Sequence, residues 1–209
     1  MHTIVCLGDS LTGPPAGRAY LDKYVKWPDL VQVGADAALG EGRVRVLNRG
    51  VAGDPSAAVL AAIDERLLRH QPATAVVWIG ANNYGGGVDR EAASERFRSD
   101  LTLIVERAHA AGIRVLLLQY FKPRAEVMDK VWTHGDAGNA VIAEVAAATG
   151  AALLALAPAF EEAEKTQPLA ELASPVDGLH LNPGGELLVV KAVLAKLRAL
   201  DWPVAWPGV

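Results

Sequence analysis

The sequence predicts an α/β fold, with a parallel sheet covered by helices on both faces. Three observations carry the prediction. Short β-branched or apolar runs alternate with longer helix-like segments along the chain. One of those runs, TAVVWIG at 74–80, is apolar throughout, as a strand buried on both faces should be. Helix start and stop residues punctuate the segments between the runs. Repeated strand–helix units of this kind argue for a parallel sheet.

The elements follow in order. HTIVCLG at 2–8 is the first strand, followed by a Pro/Gly loop and a helical segment over 21–39. RVRVLN at 43–48 alternates charged and apolar residues up to Asn48 and is the second. The next helix opens at DPSAAVLAAIDERLLRH, with Asp54 expected as N-cap and Pro55 at the first helical position. After the third strand, a helix over 90–111 stops at Gly112 and IRVLLLQ at 113–119 forms the fourth. A helix over 137–148 stops near Gly150 and gives way to AALLALA at 151–157, the fifth. Asn182-Pro183 opens the last helix, which runs to about residue 200.

At 209 residues the chain suits one generous domain, so 1–209 is read as a single unit. A Trp- and Pro-containing tail at 202–209 ends it, and Trp202 and Trp206 are expected to fold back on the body. Hydrophobic residues make up 51%, charged residues 21%, and mean hydropathy is +0.19, a core-rich globular composition. A net charge of −4 with no basic run argues against a nucleic-acid partner or a membrane surface. No segment approaches the roughly 18 apolar residues of a membrane span. The N-terminus lacks the basic and apolar regions of a signal peptide, so the chain is read as cytoplasmic. The one cysteine, Cys6, sits in an apolar strand and is expected buried. The five histidines are scattered without ligand-like spacing, so no metal is expected. No Gly-x-Gly-x-x-Gly or P-loop lysine pattern follows the first strand, and no cofactor is expected.

In open parallel sheets, ligands bind beyond the carboxyl ends of the strands. Gly8-Asp9-Ser10 follows the first strand, Asn48-Arg49-Gly50 and then Gly53-Asp54 the second, and Gly80-Ala81-Asn82-Asn83 the third. Asp177 and His180 stand three apart just before the last helix. These groups match the requirements of acyl transfer. A serine hydroxyl needs a base near pH 7, and the imidazole of His180 supplies one to Ser10. That imidazole needs a carboxylate, Asp177, to fix its tautomer. A developing oxyanion needs pre-aimed donors, and the Ser10 N–H, the Gly53 N–H and the Asn82 amide are the candidates. Taken singly, each cluster also reads as an ordinary turn, cap or surface residue; four in chain order favour a site.

On these residues the chain resembles the SGNH hydrolases, the GDSL esterase/lipase superfamily. Its blocks are Gly8-Asp9-Ser10-Leu11, Gly53-Asp54, Gly80-Ala81-Asn82-Asn83 and Asp177-Gly178-Leu179-His180, spanning nearly the whole chain. The resemblance implies a flavodoxin-like three-layer α/β/α sandwich with Ser10 as nucleophile, His180 as base and Asp177 as its partner. It also implies Gly53 and Asn82 as oxyanion donors beside the Ser10 amide. The third block often ends in Asp in that family, and here the position is Asn83. No Gly-x-Ser-x-Gly elbow surrounds Ser10, which separates the chain from the lipase-type α/β-hydrolases.

Substrate contacts are expected from Asp9, Arg49, Asn83, Tyr84, Trp132 and His134. Tyr84 and the following glycines are expected to form a rim over the site, and Trp132 and His134 to cover its acyl or sugar side. The partner is then a small-molecule ester. Short inserts between blocks favour small acyl groups, such as acetyl on a carbohydrate. A lysophospholipase or thioesterase of the same fold is the alternative, and a non-catalytic carbohydrate-binding protein a more distant one.

Overall fold

The computed structural model describes residues 1–13, 25–85, 87–122 and 135–207. Trp132 and His134 therefore lie outside the described residues. Five strands, β1 (His2–Gly8), β2 (Val44–Asn48), β3 (Thr74–Trp78), β4 (Arg114–Gln119) and β5 (Ala152–Ala155), form one sheet in the order β2-β1-β3-β4-β5. Every pairing is parallel, with β1 in register against β2 from His2↔Val44 and against β3 from Ile4↔Thr74. This is the α/β arrangement predicted above. The chain moves outward from β1 to the edge strand β2 and then crosses back to β3. Strand order therefore reverses between β1 and β3, and a crevice opens at their carboxyl ends.

The helices are α1 (Trp27–Leu39), α2 (Ser56–Ala61), α3 (Ile63–Arg66), α4 (Arg90–Ala110), α5 (Gly135–Thr149), α6 (Ala157–Glu164), α7 (Leu169–Leu172) and α8 (Pro183–Ala199). α1 packs on α8, while α4 packs on α2 and α5, so the apolar faces of β1 and β3 are covered by two helical layers. β3 is buried at all five positions because its run is apolar on both faces. Large side chains fill the interior, with Phe121 and Phe160 stacked at 4.1 Å and Trp27, Trp78 and Phe97 fully buried. Each such side chain contributes roughly 1.5–3 kcal/mol by leaving water. Cys6 is fully buried, and that burial pushes its thiol well above the ordinary range. Among the described residues, no helix is long and apolar enough to cross a membrane.

Three features depart from the sequence reading. Asp54 does not cap α2: the cap position falls on Pro55, and the Asp54 carboxylate pairs with Arg66 at 2.5 Å instead. Asn182 holds the cap position of α8, but its amide donates to the carbonyls of Ala170 and Ala173 rather than accepting from the helix. The helices α6 and α7 are not announced by strong periodicity; a proline in the first turn and the buried ring of Phe160 hold α6. The tail does fold back, with the Arg114 guanidinium 5.1 Å from the centre of the Trp202 ring and the Trp206 indole donating to the Trp202 carbonyl.

Candidate active site

The β1 carboxyl end is shaped by a tight turn. Asp9 accepts at its carbonyl from the N–H groups of Thr12 (3.1 Å) and Gly13 (2.8 Å), and at Oδ1 from Leu11 N–H (2.9 Å). Gly8 is required beneath this turn, because a Cβ there would stand 2.0 Å from Thr12 Oγ1 and 2.8 Å from the Trp78 carbonyl. The turn carries Ser10 at its apex. Among the described residues, the Ser10 N–H has no protein acceptor.

The Asp177–His180 segment is fixed just as closely. Asp177 Oδ1 accepts the N–H groups of Leu179 (3.0 Å) and His180 (2.9 Å), a local loop that turns Oδ2 onto the ring of His180. Oδ2 lies 2.9 Å from His180 Nδ1, and His180 Nε2 lies 2.8 Å from Ser10 Oγ. Ser174 anchors the segment from behind, its N–H donating to the His180 carbonyl at 2.6 Å. His180 is 7% exposed, so the imidazole touches water along little more than one edge. With the Nδ1 proton held by Asp177, Nε2 is left to accept from the serine hydroxyl.

The remaining donors come from the block-two and block-three loops. The Val51 N–H donates to the Gly8 carbonyl at 2.9 Å, so the loop of Gly53 is pinned to the loop of Ser10. Gly53 has φ +85°, and a Cβ there would meet nothing within 4 Å. Its glycine is thus selected by the backbone, not by crowding. Among the described residues, its N–H also lacks an acceptor. Asn82 is exposed and uses one amide hydrogen on the Asp54 carbonyl at 3.2 Å, which leaves the other available.

Three of the expected substrate contacts, Asp9, Asn83 and Tyr84, are turned inward. Asp9 is fully buried; its carboxylate serves Leu11 N–H and faces the Tyr120 hydroxyl, so it has no surface to offer a substrate. Burial raises the Asp9 carboxyl to about 6, against the pull of Leu11 N–H, His180, Tyr120 and Lys26. Asn83 is spent on α2: its Oδ1 accepts the Ser56 N–H (3.1 Å) and its Nδ2 donates to Ser56 Oγ (2.6 Å), whose hydroxyl donates to Asp100 (2.6 Å). It is the acceptor that Asp54 was expected to supply. Tyr84 is 7% exposed, packed edge-on against Phe97 with its hydroxyl 3.1 Å from Ser94 Oγ, and is a core residue rather than a rim. Arg49 donates from Nε to His70 Nε2 and from a terminal nitrogen to the Asn48 carbonyl, both at 3.2 Å. It lines a groove of about 550 Å³ with Val51, Arg66, Arg69 and His70.

Sequence reasoning missed two supports. Tyr120, directly after β4, places its hydroxyl 2.9 Å from the Ala81 N–H. A polar side chain at the carboxyl end of a strand was the available signal. The second is a buried ion pair, Lys26 Nζ to Glu186 Oε1 at 2.6 Å, with Glu186 Oε2 accepting the Trp27 N–H at 2.7 Å. It ties the start of α1 to the first turn of α8, just past His180. Burial raises the Glu186 carboxyl, and Lys26 and the Trp27 N–H only partly offset it. Nothing in local sequence spacing links residues that far apart.

The model of the GDSL-like lipase/acylhydrolase family matches residues 6–188, which include every block described here. The chain belongs to that family. It is a serine ester hydrolase of the SGNH type. No curated protein matches it. Among solved structures it is similar to Axe2, an acetylxylan esterase from Geobacillus stearothermophilus, at 20% identity and TM-score 0.78, covering 94% of each chain. It is also similar to LAE5, an alpha/beta hydrolase enzyme from the metagenome of Lake Arreo, Spain, at 22% identity and TM-score 0.77, covering 93% of this chain and 94% of that one. Identities this low carry the family fold across, not the substrate.

Proposed function

We propose that the chain hydrolyses short-chain carboxylic esters, such as acetyl groups on a carbohydrate, through an acyl-enzyme on Ser10. The observation that carries this is His180, which stands within hydrogen-bond distance of Ser10 Oγ on one side and Asp177 Oδ2 on the other. Ser10 Oγ attacks the ester carbonyl as its proton passes to His180 Nε2. Asp177 holds the imidazolium that results. The carbonyl oxygen gains negative charge opposite the Ser10 N–H, the Gly53 N–H and the Asn82 amide. Collapse of the tetrahedral adduct breaks the bond to the alcohol, which leaves with the proton from Nε2. Water then attacks the acyl-serine, giving its proton to His180, and the second collapse returns Ser10 and the free acid.

The same three residue types support the reading in Axe2, whose catalytic mutants replace a serine, an aspartate or a histidine, the last two three positions apart as Asp177 and His180 are. The acetyl preference rests on the short stretches between blocks and on the likeness to acetyl-xylooligosaccharide esterase structures. It is tested by comparing p-nitrophenyl acetate, butyrate and octanoate, then acetylated xylooligosaccharides. The reading expects kcat/KM to fall as the acyl chain lengthens. An optimum at eight carbons moves the assignment to the lipid or thioester hydrolases of the same fold.

A further inference from the structure

Tyr120 belongs to none of the four blocks, yet its hydroxyl stands between two of them. The Ala81 N–H donates to it at 2.9 Å, and it faces Asp9 Oδ2 at 3.5 Å, a long contact. Asp9 Oδ1 is in turn fixed by the Leu11 N–H. A line of hydrogen-bonding groups therefore runs from the turn that carries Ser10, through Asp9 and Tyr120, to the residue preceding Asn82. The ring is held as firmly as the hydroxyl. Trp78 packs at 5.7 Å between ring centres, and the side chain of Asn139 on α5 clamps both backbone groups of Tyr120, at 2.7 and 3.1 Å.

The residue type suits the place. A phenol accepts from an amide and donates to a carboxylate at once, which neither phenylalanine nor a second carboxylate does. Tyr120 is 5% exposed and Asp9 fully buried, so removing the hydroxyl leaves an N–H and a carboxylate oxygen without partners away from water. Holding a fully buried carboxylate directly after a strand end opposes folding, so a neutral residue would serve better if packing were its purpose.

We propose that Tyr120 is a positioning residue that sets the distance between two oxyanion donors, the Ser10 N–H and the Asn82 amide, through Asp9 and Ala81. The inference rests on the acyl-enzyme reading above. Those donors act on charge that develops only during reaction, so a shift of a few tenths of an ångström lowers kcat and leaves substrate binding almost unchanged.

The test is a double-mutant cycle with Tyr120→Phe and Asn82→Ala, read as kcat and KM on p-nitrophenyl acetate, with Ser10→Ala as control. Tyr120→Phe alone is expected to lower kcat about tenfold with KM within about twofold, and to add less than about twofold in the Asn82→Ala background. An equal loss in both backgrounds, a change in KM alone, or no loss overturns the inference, as does full activity of Asn82→Ala. If Tyr120→Phe does not fold, Asp9→Asn keeps the volume but puts an NH2 where Tyr120 has its carboxylate acceptor, so the phenol hydrogen loses that partner, and the same sub-additivity is expected. Activity remaining in Ser10→Ala strikes instead at the acyl-enzyme reading, so the two failures are separable.

Discussion

His180 Nε2 lies 2.8 Å from Ser10 Oγ although 170 residues separate the two in sequence. The nucleophile comes early in the chain and the base late because β1 is interior to the sheet and α8 returns to pack on α1, beside the β1 loop. The Lys26–Glu186 pair fastens that return.

Replacing Asp177 with Asn keeps the shape of the loop and changes the proton. An amide that donates to Nδ1 forces the ring into the tautomer that protonates Nε2, and Ser10 then has no acceptor for its hydrogen. Asp177→Asn is expected to lower kcat roughly 1,000- to 10,000-fold with KM little changed, measured on p-nitrophenyl acetate.

Asn83 stands where the family often carries Asp, and the structure gives the reason the amide fits here. Ser56 has one hydroxyl hydrogen, and Asp100 accepts it. An aspartate at 83 would put a second carboxylate on the same hydroxyl, with no hydrogen left for it. Asn83→Asp is expected to cost about 1–2 kcal/mol in urea unfolding at pH 8. Adding Asp100→Asn should recover most of that loss.

The buried Asp9 makes stability depend on pH in the direction opposite to a salt-bridged carboxylate. Its folded value of about 6 lies above the 3.8 of a free aspartate, so the folded protein binds this proton more tightly than the unfolded chain. The contribution is fully present below about pH 4 and is lost as pH rises through 6, in all about 3 kcal/mol. Asp9→Asn is accordingly expected to raise stability relative to wild type at pH 8 and to leave it nearly equal at pH 4, in parallel denaturant titrations. The same variant should lose activity at both pH values.

Lys26 and Glu186 are 7% and 1% exposed, so breaking their pair strands a charge. Lys26→Met leaves the Glu186 carboxylate with the Trp27 N–H alone among these partners and is expected to cost about 3–5 kcal/mol in chemical unfolding. Lys26→Met combined with Glu186→Gln should be less damaging than Lys26→Met alone, because no unpaired charge remains.

Strand content was legible because β1, β3, β4 and β5 lie in short apolar runs, β3 the clearest, while β2 shows the alternation of a strand with one buried face. Ser10, Gly53, Asn82, Asp177 and His180 were legible as candidates because their polar types follow strand ends or precede a helix, and the fold brings the loops that carry them to one end of the sheet. Side-chain direction was not legible. Asp9, Asn83 and Tyr84 neighbour those residues in sequence, and each turns inward to satisfy a backbone or core need that only the tertiary structure reveals. Arg49 follows β2 as expected, but His70, a residue on a different element, decides where its guanidinium goes. Tyr120 and the Lys26–Glu186 pair depend on contacts between distant elements, which no local spacing encodes.

During turnover Ser10 is expected to carry the acyl group. Wild type and Ser10→Ala are mixed with p-nitrophenyl acetate, quenched in acid during turnover, and the peptide holding Ser10 is weighed by mass spectrometry. An acetyl adduct is expected on that peptide in wild type, and neither adduct nor p-nitrophenol release above background in Ser10→Ala. Release by Ser10→Ala at the wild-type rate, or an adduct on a different residue, would contradict that expectation.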